Sequence, residues 1–487
     1  MGIGNDSGLT ITRLAPLIRR GKLSPVELTR FMLDRIGKLE SGLNSYITIT
    51  ADQAMVQARQ ADKEIARGAY RGVLHGIPIC LKDLFWTKNV RTTAGSKILR
   101  NFVPAENAAV VDRLFEAGAI LLGKTNLHEF AFGATSINPH YGPVRNPWAS
   151  DHMSGGSSGG SAAAVTAGLA VASLGTDTGG SIRIPAAACG CVGLKPTYGR
   201  VPVYGVIPLS PSLDHVGPIC RSVWDAALML EIIAGEDTRD SLSFGPRGAR
   251  FTRSLGKGLR GLRIGVPKQY FFDRLQYQVR RNVVRAIETL EQNGAELEEI
   301  KLKSMEETAR LAGEITVAEA LVYHWKWLRK QPQNYGPDVR VRLKEGMEES
   351  ALTYLLAMQM RQVYAQGFAD DLSRVDLLAA PALPVAAPRI EDEEVEVGRG
   401  KENVRVALLS LTRPGNLTRL PAITVPCGFT SEGLPTGLQL IGRKMAEETV
   451  LRAAYAYEQL TPWHEMFPPD PVKKHPGEQR SQRSRSS

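Results

Sequence analysis

The chain has 487 residues, of which 43% are hydrophobic and 23% charged, a balance that excludes a disordered chain, a collagen or a disulfide scaffold. Its 60 basic and 50 acidic residues leave a net charge of +10. Part of that excess sits in one place, where Lys473, Lys474, Arg480, Arg483 and Arg485 face a single Glu478, so charge gives no case for nucleic-acid binding by the body.

The first residues, 1–24, contain no apolar core of a signal peptide. Ser24-Pro25-Val26-Glu27 then reads as a helix start: Ser24 caps, Pro25 suits the first turn and Glu27 closes a capping box. The apolar face of Leu28, Phe31, Met32 and Ile36 carries that helix over 25–39. An Ala-rich polar helix is expected over 52–66. From Val73 the period changes to two, with Ile77, Ile79 and Leu81 alternating ahead of Lys82-Asp83, a buried strand that delivers a polar pair. A helix over 108–117 and the apolar run Ala119-Ile120-Leu121-Leu122 make a helix–strand unit. Further units follow: a helix at 280–293 before a strand at 296–300, and a helix before Asp376-Leu377-Leu378-Ala379-Ala380-Pro381. The acidic stretch 391–396 reads as a surface loop.

These elements imply an α/β chain with no internal repeat and no Pro/Ser linker, one domain over 1–468 followed by a basic, disordered tail at 469–487. The longest near-apolar stretch, 162–174, is broken by Thr166 and Ser173 and is shorter than the ~20 residues a membrane span needs. The five cysteines, Cys80, Cys189, Cys191, Cys220 and Cys427, form no disulfide framework, and Cys189-Gly190-Cys191 lacks zinc-ligand spacing. The expectation is a soluble cytoplasmic protein with buried, reduced thiols.

The segment 154–193 departs from ordinary core. It holds Ser154-Gly-Gly-Ser-Ser-Gly-Gly-Ser161 and Gly175-Thr-Asp-Thr-Gly-Gly-Ser181, each joined to apolar, structured sequence. Glycine this dense means positive φ or close approach, and successive free N–H groups at a strand-to-helix turn bind an anion. Three readings compete. A phosphate loop lacks both the G-x-x-x-x-G-K-[ST] and the G-x-G-x-x-G patterns. Gly155-x-Ser157-x-Gly159 fits a nucleophile elbow literally, but Asn146 to His152 before it is no apolar strand. The third reading is a serine hydrolase with a buried lysine as base, for which Lys82 is the candidate; its alternative role is an ion pair with Asp83.

The glycine- and serine-rich segments, with Gly193-Leu-Lys-Pro-Thr-Tyr-Gly199, His75-Gly-Ile-Pro-Ile-Cys-Leu-Lys-Asp83, Gly123-Lys-Thr-Asn-Leu-His-Glu-Phe-Ala-Phe-Gly133, Ala422-Ile-Thr-Val-Pro-Cys-Gly428 and Gly437-Leu-Gln-Leu-Ile-Gly442, resemble the amidase signature family across nearly the whole body. The resemblance implies a large mixed β-sheet sandwiched by α-helices. It also implies a Ser–cis-Ser–Lys triad. Lys82 matches its base, Ser157 the serine held by a cis peptide bond, and Ser181 the nucleophile. The oxyanion donors fall on the N–H groups of Thr178, Gly179, Gly180 and Ser181, and Ala131 and Phe132 match the segment beside the acyl group. Asp177 and Arg183 are expected to brace the nucleophile loop, and Cys189 and Cys191 to pack behind it.

The implied chemistry is hydrolysis of amide C–N bonds through an acyl-enzyme, without cofactor or metal. The same intermediate serves esters and carbamates. One branch of the family is the glutaminase component of the tRNA-dependent amidotransferases, which hydrolyses glutamine and passes ammonia to a partner. That branch carries a basic stretch near Val-Lys-Arg-Arg where this chain reads Pro337-Asp-Val-Arg-Val-Arg-Leu-Lys-Glu-Gly346. The expectation is therefore a free-standing amidase with a small-molecule amide, ester or carbamate substrate, the glutaminase component of an amidotransferase being the alternative. A homo-oligomer remains open, while membrane and nucleic-acid partners are not expected. Arg419 stands where the resemblance leads one to expect glycine, which bears on the C-terminal wall of the pocket, and selectivity is expected in a middle insert at 251–405.

Overall fold

The structure, a computed structural model, describes residues 9–303 and 305–469. The expected tail therefore lies, from residue 470 onward, outside the described residues. Eleven strands form one sheet: β1 (Tyr46–Ile49), β2 (Pro78–Lys82), β3 (Ile120–Thr125), β4 (Ala172–Asp177), β5 (Val192–Lys195), β6 (His215–Cys220), β7 (Arg263–Pro267), β8 (Glu296–Ile300), β9 (Leu377–Pro381), β10 (Ala422–Phe429) and β11 (Pro435–Gly442). Their spatial order is β1-β3-β2-β4-β6-β5-β10-β11-β9-β7-β8.

The sheet is mixed. β2 runs parallel to both β3 and β4, with Leu81 opposite Leu174 and Lys82 opposite Thr125. β4, β6, β5, β10, β11 and β9 pair antiparallel in turn, and β9, β7 and β8 close the far edge in parallel. Every residue of β2, β3, β4, β5, β6, β9 and β11 is buried, the pattern of strands covered by helices on both faces. The expected large mixed sheet with helical layers is the fold observed.

The local signals act as read. Ser24 Oγ accepts the Val26 N–H at 3.0 Å and the Glu27 carboxylate accepts the Ser24 N–H at 3.1 Å, capping a helix that runs Pro25–Leu43. The helix–strand units appear as Ala109–Glu116 before β3, Tyr277–Gln292 before β8 and Ala351–Asp371 before β9. All five cysteines are free and buried, and Cys189 and Cys191 pack with Ala162, Ile182, Ala186 and Ile219.

Two expectations are corrected. The acidic stretch 391–396 is loop only to 393; from 394 it forms the first strand of a two-stranded hairpin, Glu394–Val397 on Gly400–Asn403, with its acidic side chains largely exposed. Residues 251–405 are not an insert beside the sheet, because β7, β8 and β9 belong to it. The long helices Thr308–Lys330 and Pro337–Glu348, which packs on it, do stand outside the sheet. Among the described residues no helix is long and apolar enough to cross a membrane.

Candidate active site

Lys82 is the last residue of β2, and the apolar strand that precedes it carries its side chain into the interior, where it is fully buried. Its Nζ donates to Ser157 Oγ and to Thr176 Oγ1, both at 2.7 Å. Asp83 is not its partner. That carboxylate accepts from Thr93 and lies 3.4 Å from the Nζ of Lys124. Lys82 thus sits without an ion pair among the described residues. Burial pushes its ammonium from the ordinary 10.5 down to about 7, against the opposing pull of Asp214 and Asp177.

Sequence reasoning does not single out Thr176. A signal exists in the pairing: β4 lies parallel beside β2, and Thr176 is two residues past Leu174, the partner of Leu81, so both strands end at one place.

Ser157 follows a cis peptide bond from Gly156. Its carbonyl accepts from Ser136 Oγ at 3.2 Å and from the His128 N–H at 3.3 Å. The next residue, Ser158, donates its N–H to the Ser181 carbonyl at 3.2 Å, which holds the two glycine- and serine-rich segments together. Glycine is required at Gly160, where a Cβ would stand 2.3 Å from the Asn126 carbonyl oxygen.

The turn 178–182 joins β4 to the helix Arg183–Cys189. Asp177 braces it from the end of β4, accepting from the N–H of Gly180 at 2.8 Å and of Ile182 at 3.2 Å. The same carboxylate accepts from Arg183 Nε and Nη2, each at 3.0 Å, and from Asn416 Nδ2 at 2.8 Å. Arg183 reaches on to the Thr412 carbonyl, Gln439 Oε1 and Asn416 Oδ1. Both side chains are fully buried. Burial alone would raise Asp177, but Arg183, then Lys195 and Asn416, outweigh it and hold the carboxyl well below its usual range.

This bracing changes one expected donor. The Gly180 N–H is turned to Asp177 and is not free to meet an oxyanion, because the turn folds back on its own strand with Gly180 at φ 132°. The N–H groups of Thr178, Gly179 and Ser181 have no acceptor among the described residues. Thr178 Oγ1 donates to Asp214 at 2.6 Å, and burial lifts the Asp214 carboxyl to about 6.

Ser181, Thr178 and Gly179 open on a cleft of about 470 Å³, counting its solvent-open mouth. Ser181 is 4% exposed, and its hydroxyl makes no hydrogen bond among the described residues. Ala131 and Phe132 line the cleft, on a segment held by Arg342, which donates to the Phe132 carbonyl and pairs with Asp338 at 2.9 Å. The remaining wall is not foreseen from the sequence. Ala312, Gly313, Thr316 and Val317 come from the helix Thr308–Lys330, and Arg405, Leu409 and Arg413 from the segment before β10. Arg419 is absent from the lining. It sits at φ 62°, its guanidinium stacked 4.0 Å over Tyr198 and bonded to the Ser212 carbonyl. The positive φ is the reason glycine suits that position.

A buried lysine–serine pair thus lies beside a glycine-rich turn, on a mixed sheet between helical layers. The family described as Amidase matches residues 27–451, and the chain belongs to it. The chain is 42% identical over 481 residues to a glutamyl-tRNA(Gln) amidotransferase subunit of Geobacter sp. strain M21, covering 94% of this chain and 98% of that one. Among solved structures it is similar to a chain described with an unexpected vestigial protein complex and the origins of an s-triazine catabolic enzyme. The TM-score is 0.89 at 36% identity, over 93% of this chain and 98% of that one. It is also similar to the native peptide amidase from Stenotrophomonas maltophilia, with a TM-score of 0.84 at 31% identity, over 96% and 99% of the two chains.

Proposed function

We propose that this chain cleaves amide C–N bonds through an acyl-enzyme on Ser181, with Lys82 as base and Ser157 as relay. The observation that carries this is the fully buried Lys82, 2.7 Å from Ser157 Oγ and depressed to about 7. A free lysine is only about 0.04% neutral at pH 7, whereas a group near 7 is about half neutral and accepts a proton there. Ser157 then passes its hydroxyl proton to Lys82 and takes that of Ser181. The Ser181 Oγ–carbon bond forms, and the carbonyl oxygen, now negative, meets the free N–H groups of Thr178, Gly179 and Ser181. Collapse breaks the C–N bond, and the leaving nitrogen takes the proton back from Lys82 through Ser157. Water, deprotonated by the same pair, hydrolyses the ester and frees Ser181. The relay closes when substrate fills the cleft, since catalytic hydrogen bonds tighten in the complex.

A second reading concerns the amide itself. The relative at 42% identity bears the name of a glutamyl-tRNA(Gln) amidotransferase, which favours glutamine as the amide and a protein partner for the released ammonia over the free-standing amidase expected from the sequence. The structure described with a vestigial complex also supports a protein partner, whereas the similarity to a peptide amidase supports the free-standing form. Esters and carbamates stay within reach of the same acyl-enzyme.

Ser181→Ala tests the shared step. It removes the covalent intermediate and should lower kcat/KM by several orders of magnitude, and a fluorophosphonate probe should label Ser181 in the parent protein. Labelling of Ser157 with Ser181 untouched would return the site to the nucleophile-elbow arrangement. Ammonia release from glutamine by the purified chain, alone and with candidate partner proteins, separates the two readings.

A further inference from the structure

The cleft beside Ser181 has an unusual charge balance. Its lining includes two guanidiniums, Arg405 and Arg413, and no carboxylate. Three acids close to the Ser181 turn and the Phe132 segment are already engaged, and Glu345, which acts on Arg405, is exposed and outside the lining. Asp177 is held by Arg183, Asp214 accepts from Thr178, Leu209 and Ser210, and Asp338 pairs with His128 and Arg342.

The two arginines are not engaged. The Nε of Arg405 is buried without a hydrogen-bond partner, and neither guanidinium makes a hydrogen bond or ion pair among the described residues. Burial, with Arg342 and Arg413 nearby, pushes Arg405 down to about 9, and burial also lowers Arg413. Glu345 and Asp338 act on Arg405 from outside the cleft without pairing with it, so two half-buried cations face one small space whose lining holds no carboxylate, a costly arrangement unless something anionic completes it. Arginine is suited to that role, because its planar fork matches a carboxylate in two bonds.

The position relative to the reaction is also fixed. A Cβ on Gly179 would lie 3.7 Å from Arg413 Cγ and 3.2 Å from Leu409 Cδ2, so the Arg413 stem packs directly on the turn that carries Ser181. Much of the remaining lining is apolar, with Leu209, Ala312, Val317 and Leu409. That wall suits a short aliphatic spacer.

Resting on the Ser181 acyl-enzyme reading, and taking its free-standing form over the glutamine form, we infer that the substrate is a small amide bearing a carboxylate a few carbons from the scissile carbonyl and no ammonium, with Arg405 and Arg413 as the carboxylate's partners. The carboxylate occupies the space the two guanidiniums share, and the amide carbonyl reaches the N–H groups of the turn. A zwitterion is disfavoured because the cleft offers its ammonium no acid.

Three primary amides of one length test this with the purified chain: pentanamide, which is neutral; glutaramate, which adds the carboxylate; and glutamine, which adds the ammonium to glutaramate. Ammonia release should show glutaramate preferred over pentanamide by about 100-fold in kcat/KM, and over glutamine by about tenfold or more. Arg405→Met and Arg413→Met should each cut the glutaramate-to-pentanamide ratio by about tenfold, with Arg413→Lys restoring part of it. Calorimetry with glutaramate on Ser181→Ala protein, with and without Arg405→Met, gives the same comparison without turnover and should show binding lost with the arginine. Fluorophosphonate labelling of Ser181 monitors the nucleophile in every variant. If Ser181 is labelled but pentanamide is cleaved as well as glutaramate, or the ratio survives both arginine substitutions, the anion site is overturned and the acyl-enzyme reading stands. Glutamine cleaved as fast as glutaramate overturns the exclusion of the ammonium. Absence of both labelling and hydrolysis overturns the acyl-enzyme reading and the inference with it.

Discussion

Lys82→Met should abolish hydrolysis, and the pH dependence of its effect on fold stability is the sharper test. Burial moves the Lys82 ammonium from 10.5 to about 7. At about 1.4 kcal/mol per tenfold, holding the charged form in the fold costs on the order of 5 kcal/mol. The folded state therefore binds its proton more weakly than the unfolded chain. Between about pH 7 and 10.5 the unfolded state holds more protons, so stability rises with pH by up to about 1.4 kcal/mol per pH unit from this one group. Below about pH 7 both states are charged and the cost is present in full; above 10.5 it is gone.

A methionine of similar length carries none of this cost. It also removes the two hydrogen bonds to Ser157 and Thr176, which offset the gain by about 1–3 kcal/mol for each hydroxyl left short. The net at pH 7 thus runs from a loss of about 1 kcal/mol to a gain of about 3 kcal/mol. The slope is independent of that offset. Urea unfolding from about pH 6 to about pH 9 should show the variant's advantage shrinking by roughly 2–3 kcal/mol above neutrality. In the parent enzyme kcat/KM should rise on an acid limb with its midpoint near 7 as Lys82 loses its proton. An advantage that stays constant from pH 6 to 9 would mean that Lys82 is solvated, and the argument for it as a neutral base would fail.

Asp177→Asn leaves the buried Arg183 without its counter-charge and should destabilise by about 3–5 kcal/mol at pH 7 in urea unfolding; a change within about 1 kcal/mol would mean the turn is braced elsewhere. Because the Asp177 carboxyl is held below its usual range, its contribution is complete above about pH 4 and lost only as acid protonates it, so the variant should also flatten the acid side of the stability curve. Arg419→Gly exchanges a strained φ of 62° for a lost stack on Tyr198 and a more flexible unfolded chain; stability should move by less than about 1 kcal/mol and kcat/KM by less than about twofold, a larger loss of activity showing that Arg419 reaches the cleft.

The sequence is most legible where the chemistry depends on neighbours along the chain. Lys82 ends a strand whose alternation is visible in five residues, and Ser157 and Ser181 stand among glycines that no ordinary core would carry. The Ser24 capping box reports its helix for the same reason, since both partners lie within one turn. Thr176 escapes because its role depends on β4 lying parallel beside β2, a pairing set by the whole sheet. The Gly180 donor is misjudged for a related reason: the residue type suits an oxyanion turn, but Asp177 at the end of β4 claims that N–H.

The substrate-facing wall is illegible for a deeper physical reason. Ser181 and its turn come from one short stretch, but the cleft opposite is assembled from residues near 131, 312–317 and 405–413, distant in sequence and carried on separate helical segments of ordinary composition. Nothing in Arg405 or Arg413 marks either as more than a surface cation until the fold sets both against the Ser181 turn without an acid. The division follows from what each part must do. The proposed cleavage needs a base, a relay, a nucleophile and donors held to fractions of an ångström, for which rigid strand ends and a short braced turn are suited. Selecting one amide among many needs only the charge and size of the wall, which side chains far along the chain can change without disturbing Lys82, Ser157 or Ser181. A family built this way shares its cleavage chemistry across members with different substrates, so the relatives' names bear on the first part of this site more than on the second.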